Sequence, residues 1–89
     1  MFLEEIELDR PPQFELEQKV RLSRDIRNDG TYPGKDRGEK LAEKGSEGYV
    51  IGIGTYLQRS YIYSVHFLRQ GCVIGCLARE LEAIEDTGF

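Results

Sequence analysis

At 89 residues the chain has room for one domain, and 39% hydrophobic content gives that domain a modest core. A core of this size leaves roughly 3–5 kcal/mol of net stability, too little to hold a strained catalytic site. Charged residues of both signs make up 31% of the chain, which excludes a disordered tail. The net charge of -4 gathers at the two ends, so the uniformly basic face of a nucleic-acid binder is missing.

The N-terminal stretch carries Glu4, Glu5, Glu7, Asp9, Glu15 and Glu17 against Arg10 and Lys19. Acids stand where an export signal has bases, and no run approaches the ~18 apolar residues of a membrane span. Two cysteines without an export signal imply reduced thiols and a cytoplasmic location. Phe2, Leu3, Ile6 and Leu8 interleave with acids, as an extra strand or a frayed arm. Pro11 and Pro12 then stop regular structure, so 1–12 reads as an appendage to a domain over 13–89.

From Phe14 the alternation is plain. Phe14, Leu16, Val20 and Leu22 share one parity, with Glu15, Glu17, Lys19, Arg21 and Ser23 on the other. Period two with one polar side predicts a half-buried strand. Asn28 to Gly38 is dense in turn formers, with Gly30, Gly34 and Gly38 four apart, and predicts a long irregular loop after the first strand. Glu39 to Lys44 reads as one helical turn. A second strand spans about Gly48 to Leu57, with Tyr49, Ile51 and Ile53 on one side. The third, Tyr61 to Leu68, puts Tyr61, Tyr63, Val65 and Phe67 on one face. Arg69-Gln70-Gly71 makes a hairpin loop, Cys72 to Leu77 returns as the fourth strand, and Ala78 to Ile84 gives one turn and a short closing strand. Short strands, one early loop and tight hairpins describe an all-β, SH3-like barrel.

The residues that could carry chemistry each have a plainer reading. Cys72 and Cys76 lie roughly 13 Å apart on an extended strand, too far for a disulfide or a shared metal. A tetrahedral zinc site wants four N or S ligands, and His66 is the single histidine. The cysteines therefore read as structural, and no metal or other cofactor is expected. His66 has the opposite parity from Tyr63, Val65 and Phe67, so it faces solvent or a partner. The glycines of the 30–38 loop are not a phosphate loop, because Gly38 is followed by Glu39 rather than Lys and a hydroxyl residue. Tyrosines 32, 49, 56, 61 and 63 suit a stacking platform only beside a positive groove, and Arg59 and Arg69 are the only bases from residue 45 to 78. A loop this long is usually functional, and protein docking centred on Tyr32 is the reading preferred over a plain connector.

The run Arg27-Asn28-Asp29-Gly30-Thr31-Tyr32-Pro33-Gly34, followed by Gly45-Ser46-Glu47-Gly48-Tyr49-Val50, Thr55-Tyr56-Leu57-Gln58 and Ile62-Tyr63-Ser64-Val65-His66-Phe67, resembles the NifZ family of nitrogen-fixation accessory proteins. The resemblance covers about residues 14 to 84. It implies a non-enzymatic factor that assists maturation of the nitrogenase molybdenum–iron protein, in particular formation of its P-cluster. The implied partners are that protein or its assembly factors, without nucleic acid or membrane. The matched signature, Asn28, Asp29, Gly30, Thr31, Tyr32, Pro33 and Gly34, is the expected partner-binding surface. Two alternatives stand beside it: a barrel subunit of a redox complex docking ferredoxin-like partners, and a metal carrier using Cys72 and Cys76.

Overall fold

A computed structural model describes residues 6–84. The fold is all-β. Among the described residues seven strands occur in chain order: β1 (Lys19–Leu22), β2 (Ile26–Arg27), β3 (Lys40–Ala42), β4 (Glu47–Tyr56), β5 (Ser60–Phe67), β6 (Cys72–Leu77) and β7 (Leu81–Ala83). Five form one antiparallel sheet in the order β6-β5-β4-β1-β7, and β2 and β3 form a separate ribbon. Short 3-10 turns occupy Glu7–Asp9 and Ala78–Glu80. Among the described residues the expected barrel is not closed by hydrogen bonds: β6 and β7 are the edges of an open sheet.

The strands from residue 60 onward follow the sequence pattern closely. Tyr63, Val65 and Phe67 are fully buried on one face of β5, and His66 is exposed on the other. The hairpin through Gly71, the strand Cys72–Leu77, the turn at Ala78–Glu80 and the closing strand all form where the pattern puts them.

Four earlier expectations are corrected. The first strand begins only at Lys19. Glu17 takes a positive φ of 70°, and Gln18 N–H donates to the Glu15 carbonyl at 3.2 Å. That turn breaks the parity, so Phe14 and Val20 are buried while Leu16 is 59% exposed. Glu39 to Lys44 is not a helical turn, because Lys40–Ala42 pairs with Ile26–Arg27 as β3. The long loop thus follows β2 rather than the first strand. In β4 the face is inverted: Gly48 and Val50 point inward, opposite Phe67 and Val65, and Tyr49 and Ile51 point out. A bulge between Val50 and Gly52 then resets the parity, so Ile53 faces Tyr63 and packs on the core.

Phe14 meets Tyr63 edge-on, with ring centroids 5.2 Å apart, and the buried Tyr63 hydroxyl accepts the Gln13 N–H at 2.9 Å. The segment before it is tied to the same strand. Glu7 Oε1 accepts the Tyr61 N–H, and the Tyr61 hydroxyl donates to the Arg10 carbonyl. Residues 1–5, including Phe2 and Leu3 of the alternating stretch, lie outside the described residues. Cross-strand ion pairs Lys19–Glu47 and Arg21–Glu82 are half-exposed and contribute little, about 0–1 kcal/mol each.

Gly48 is required by a close approach. A Cβ there would fall on the His66 carbonyl oxygen and lie 2.9 Å from Val65 Cγ1, both in the strand it pairs with. The Gly48→Ala change is therefore expected to destabilise by about 2–3 kcal/mol, the range of core overpacking. Chemical denaturation checks this; an unchanged midpoint would show that β4 and β5 separate freely.

Candidate functional site

Asn28 is 3% exposed and is the one buried polar residue among those described. It ends the ribbon. Its N–H donates to the Glu39 carbonyl at 2.8 Å and its carbonyl accepts the Gly38 N–H at 2.7 Å. Its side chain then organises the loop. Oδ1 accepts the N–H groups of Gly30 and Tyr32, both at 3.0 Å. Nδ2 donates to the carbonyls of Tyr32 at 3.2 Å and Lys35 at 2.9 Å. Both donors and both lone pairs of the carboxamide are used, and two N–H groups opposite two carbonyls fix its orientation.

The rest of the loop is built on that knot. Asp29 Oδ1 accepts the Thr31 hydroxyl at 2.6 Å and the Thr31 N–H at 3.1 Å. These bonds, the hydroxyl first, hold the Asp29 carboxyl below its ordinary range. Arg37 Nε donates to the Asp29 carbonyl at 3.1 Å and crosses Gly30, where a Cβ would lie 3.3 Å from that nitrogen. Gly30 also has a φ of 104°, which a side chain would strain. Arg27 Nη1 donates to the Gly38 carbonyl at 3.1 Å, and Lys35 pairs with Glu39 at 3.3 Å.

The structure therefore brings all seven signature residues, Asn28 to Gly34, into one ordered turn. Tyr32 is not at the tip. It is half-buried and packs on the core, while Asp29, Thr31 and Pro33 are exposed. Between this turn and β6 runs an open groove of about 1060 Å³, lined on one wall by Ile26, Asp29, Tyr32 and Leu41 and on the other by Cys72 to Gly75 and Leu77. The β6 wall was not legible as part of the site, because nothing in a short apolar strand says which loop it faces. The start of the knot did have a signal, since Asn at the head of a Gly- and Pro-punctuated run is an Asx-turn former.

Cys72 is half-buried on the groove wall, and Cys76 is buried with its Sγ donating to the Ile74 carbonyl at 3.6 Å. Burial, and then the nearby charge of Glu80 and Cys72, push the Cys76 thiol up to about 12. Both residues sit on one extended strand, and no cluster of three or more metal-ligating side chains occurs among the described residues. Among those residues, no helix is long and apolar enough to cross a membrane.

The NifZ domain family matches residues 11–83, which takes in the Asn28 knot and every strand among the described residues. The chain belongs to the NifZ family. It is 46% identical over 84 residues to a putative NifZ protein of Sinorhizobium fredii, covering 94% of this chain and 78% of that protein. It is 54% identical over 70 residues to the NifZ protein of Azotobacter vinelandii, covering 79% of this chain and 44% of that protein. A probable NifZ protein of Rhodobacter capsulatus is 38% identical over 71 residues, with 80% of this chain and 91% of that protein covered. No solved structure matches the chain. Membership makes it a nitrogen-fixation-associated protein, and the resemblance drawn from Asn28 to Gly34 and the later strands holds across the whole domain.

Two outcomes test this geometry. Asn28→Asp replaces the Nδ2 donor with a carboxylate oxygen opposite the Tyr32 and Lys35 carbonyls, and should cost about 2 kcal/mol or more of stability at neutral pH. A urea midpoint equal to that of the parent chain would overturn the central role of the carboxamide. In the native protein at pH 8, an alkylating reagent should modify Cys72 and leave Cys76 untouched until denaturant is added, because only a thiolate reacts. Mass spectrometry of the peptides distinguishes the two thiols, and early loss of Cys76 would refute its burial.

Proposed function

We propose that this NifZ-family chain is a non-enzymatic assembly factor that docks on the nitrogenase molybdenum–iron protein while its P-cluster matures. Family membership over residues 11–83 is the observation that carries this reading. The preformed Asn28 knot supports the docking part of it. A loop already fixed by its own hydrogen bonds loses little entropy on binding, so more of its contact energy appears as affinity. Tyr32 adds area at low entropic cost, with one face on the core and its backbone bonded to Asn28.

A docking protein can favour maturation only by binding the immature client more tightly than the finished one. Purified immature molybdenum–iron protein should therefore bind at least about tenfold tighter than the mature form, a difference of about 1.4 kcal/mol. Tyr32→Ala should weaken that binding by about 2 kcal/mol, the loss typical of an anchor residue. Titration calorimetry with both client forms, beside thermal unfolding of the variant, measures both effects. Equal affinity for the two forms would reject the maturation role, and unchanged affinity in a folded Tyr32→Ala chain would reject the loop as the contact.

A further inference from the structure

The two edges of the five-stranded sheet are unequal. β7 is three residues long and carries Glu82, paired with Arg21. β6 is six residues long, Cys72-Val73-Ile74-Gly75-Cys76-Leu77, with no charge, no proline and no bulge in its pairing with β5. Those are the devices that normally keep an edge from accepting another strand.

The ladder fixes which backbone groups of β6 are left over. Val50 exchanges hydrogen bonds with the β1 side, through Gln18 and Glu17. Residue directions alternate along a strand, so Tyr49 bonds toward β5 and its partner His66 bonds back toward β4. Val65 and Phe67 then bond toward β6, to Ile74 and Cys72. Val73, Gly75 and Leu77 consequently direct their N–H and C=O groups away from the sheet. Leu77 confirms the direction independently, since its N–H donates to Glu80 Oε1 at 2.8 Å. The groups of Val73 and Gly75 open into the groove, and no turn or loop bond among the described residues uses them.

The unspent hydrogen-bonding capacity around the groove selects among occupants. Its acids keep their charge but already accept hydrogen bonds, Asp29 from Thr31 and Glu80 from the Leu77 amide. Its bases, Arg27 and Arg79, are in no ion pair among the described residues, and Arg27 spends one N–H on the Gly38 carbonyl, so most guanidinium donors are left for an incoming acceptor. We infer that β6 takes up an extended, acid-flanked segment of the client polypeptide as a sixth strand, with the Asn28 knot as the opposite wall of the slot. The Val73 and Gly75 backbone supplies four ladder groups, and the two guanidinium groups meet carboxylates at the flanks of the incoming strand. This inference rests on the docking reading above and names the surface and the chemistry of the bound segment.

Hydrogen exchange tests it without changing the protein. With purified immature molybdenum–iron protein added, the Val73 and Gly75 amides should slow at least tenfold. Val73→Pro removes one outward donor while leaving the β5 side of the ladder intact, so the variant should fold and bind about tenfold more weakly. Arg27→Gln with Arg79→Gln should weaken binding and flatten its salt dependence. If the client binds but both amides exchange as in the free chain, strand addition is wrong while docking stands. If the client does not bind, the docking reading itself falls and the inference falls with it. If the free chain is a dimer that Val73→Pro dissociates, a second copy occupies the edge and the client assignment is overturned.

Discussion

The Asn28 carboxamide supplies hydrogen-bond partners to four backbone groups in a segment with no ladder of its own. Residues 28–39 are too long for a hairpin turn and too polar to pack as a core segment. Their backbone groups need partners all the same, because an unpaired buried amide costs about 1–3 kcal/mol. One buried side chain supplies four of those partners, backbone bonds at Asn28, Gly38 and Glu39 supply others, and the exposed bonds of Asp29, Arg37 and Glu39 add more. The knot is uncharged at its centre, so its hub does not titrate. Its charged periphery does. Asp29 and Glu39 are held below their usual pKa by bonds made in the folded state, and that contribution is present above the unfolded values and lost as pH falls below them.

The knot is anchored where the ribbon ends. Asn28 carries the β2–β3 pairing one residue past Arg27, through its backbone bonds to Glu39 and Gly38, and its side chain then takes over. The ribbon and its loop stand across a groove from β6, so an edge strand without charge, proline or bulge faces the loop built on the Asn28 carboxamide. Loop and edge strand are thus two walls of one groove.

Legibility in the sequence followed the physics of each element. β5 was plain because aromatic and branched side chains alternate there without interruption, and a pleated strand has no other way to place them. β4 was read on the wrong face. Its inward positions are Gly48, which has no side chain to signal burial, and Val50, and the bulge after Val50 reverses the parity within the strand. The start of β1 was misplaced because Glu17 adopts a backbone conformation that glutamate seldom takes. Lys40-Leu41-Ala42 are good helix formers, and only their pairing with Ile26–Arg27 makes them a strand. The loop itself was recognisable from its turn chemistry. The groove was not, since its walls come from residues 26–41 and 71–80, which no periodicity connects.

The strand order has a consequence for how the chain is made. β1 lies between β4 and β7, so Val20 is paired with Gly48 on one side and Ala83 on the other. The meander β4-β5-β6 needs only short-range contacts and is able to assemble as soon as residues 47–77 leave the ribosome. β1, synthesised much earlier, gains its second neighbour only when residues 81–83 emerge. At about 5–20 residues per second of synthesis, that wait lasts seconds, far longer than a hairpin takes to form. Through that interval the nascent chain carries a second bare edge, on the flank of β1 that β7 later covers.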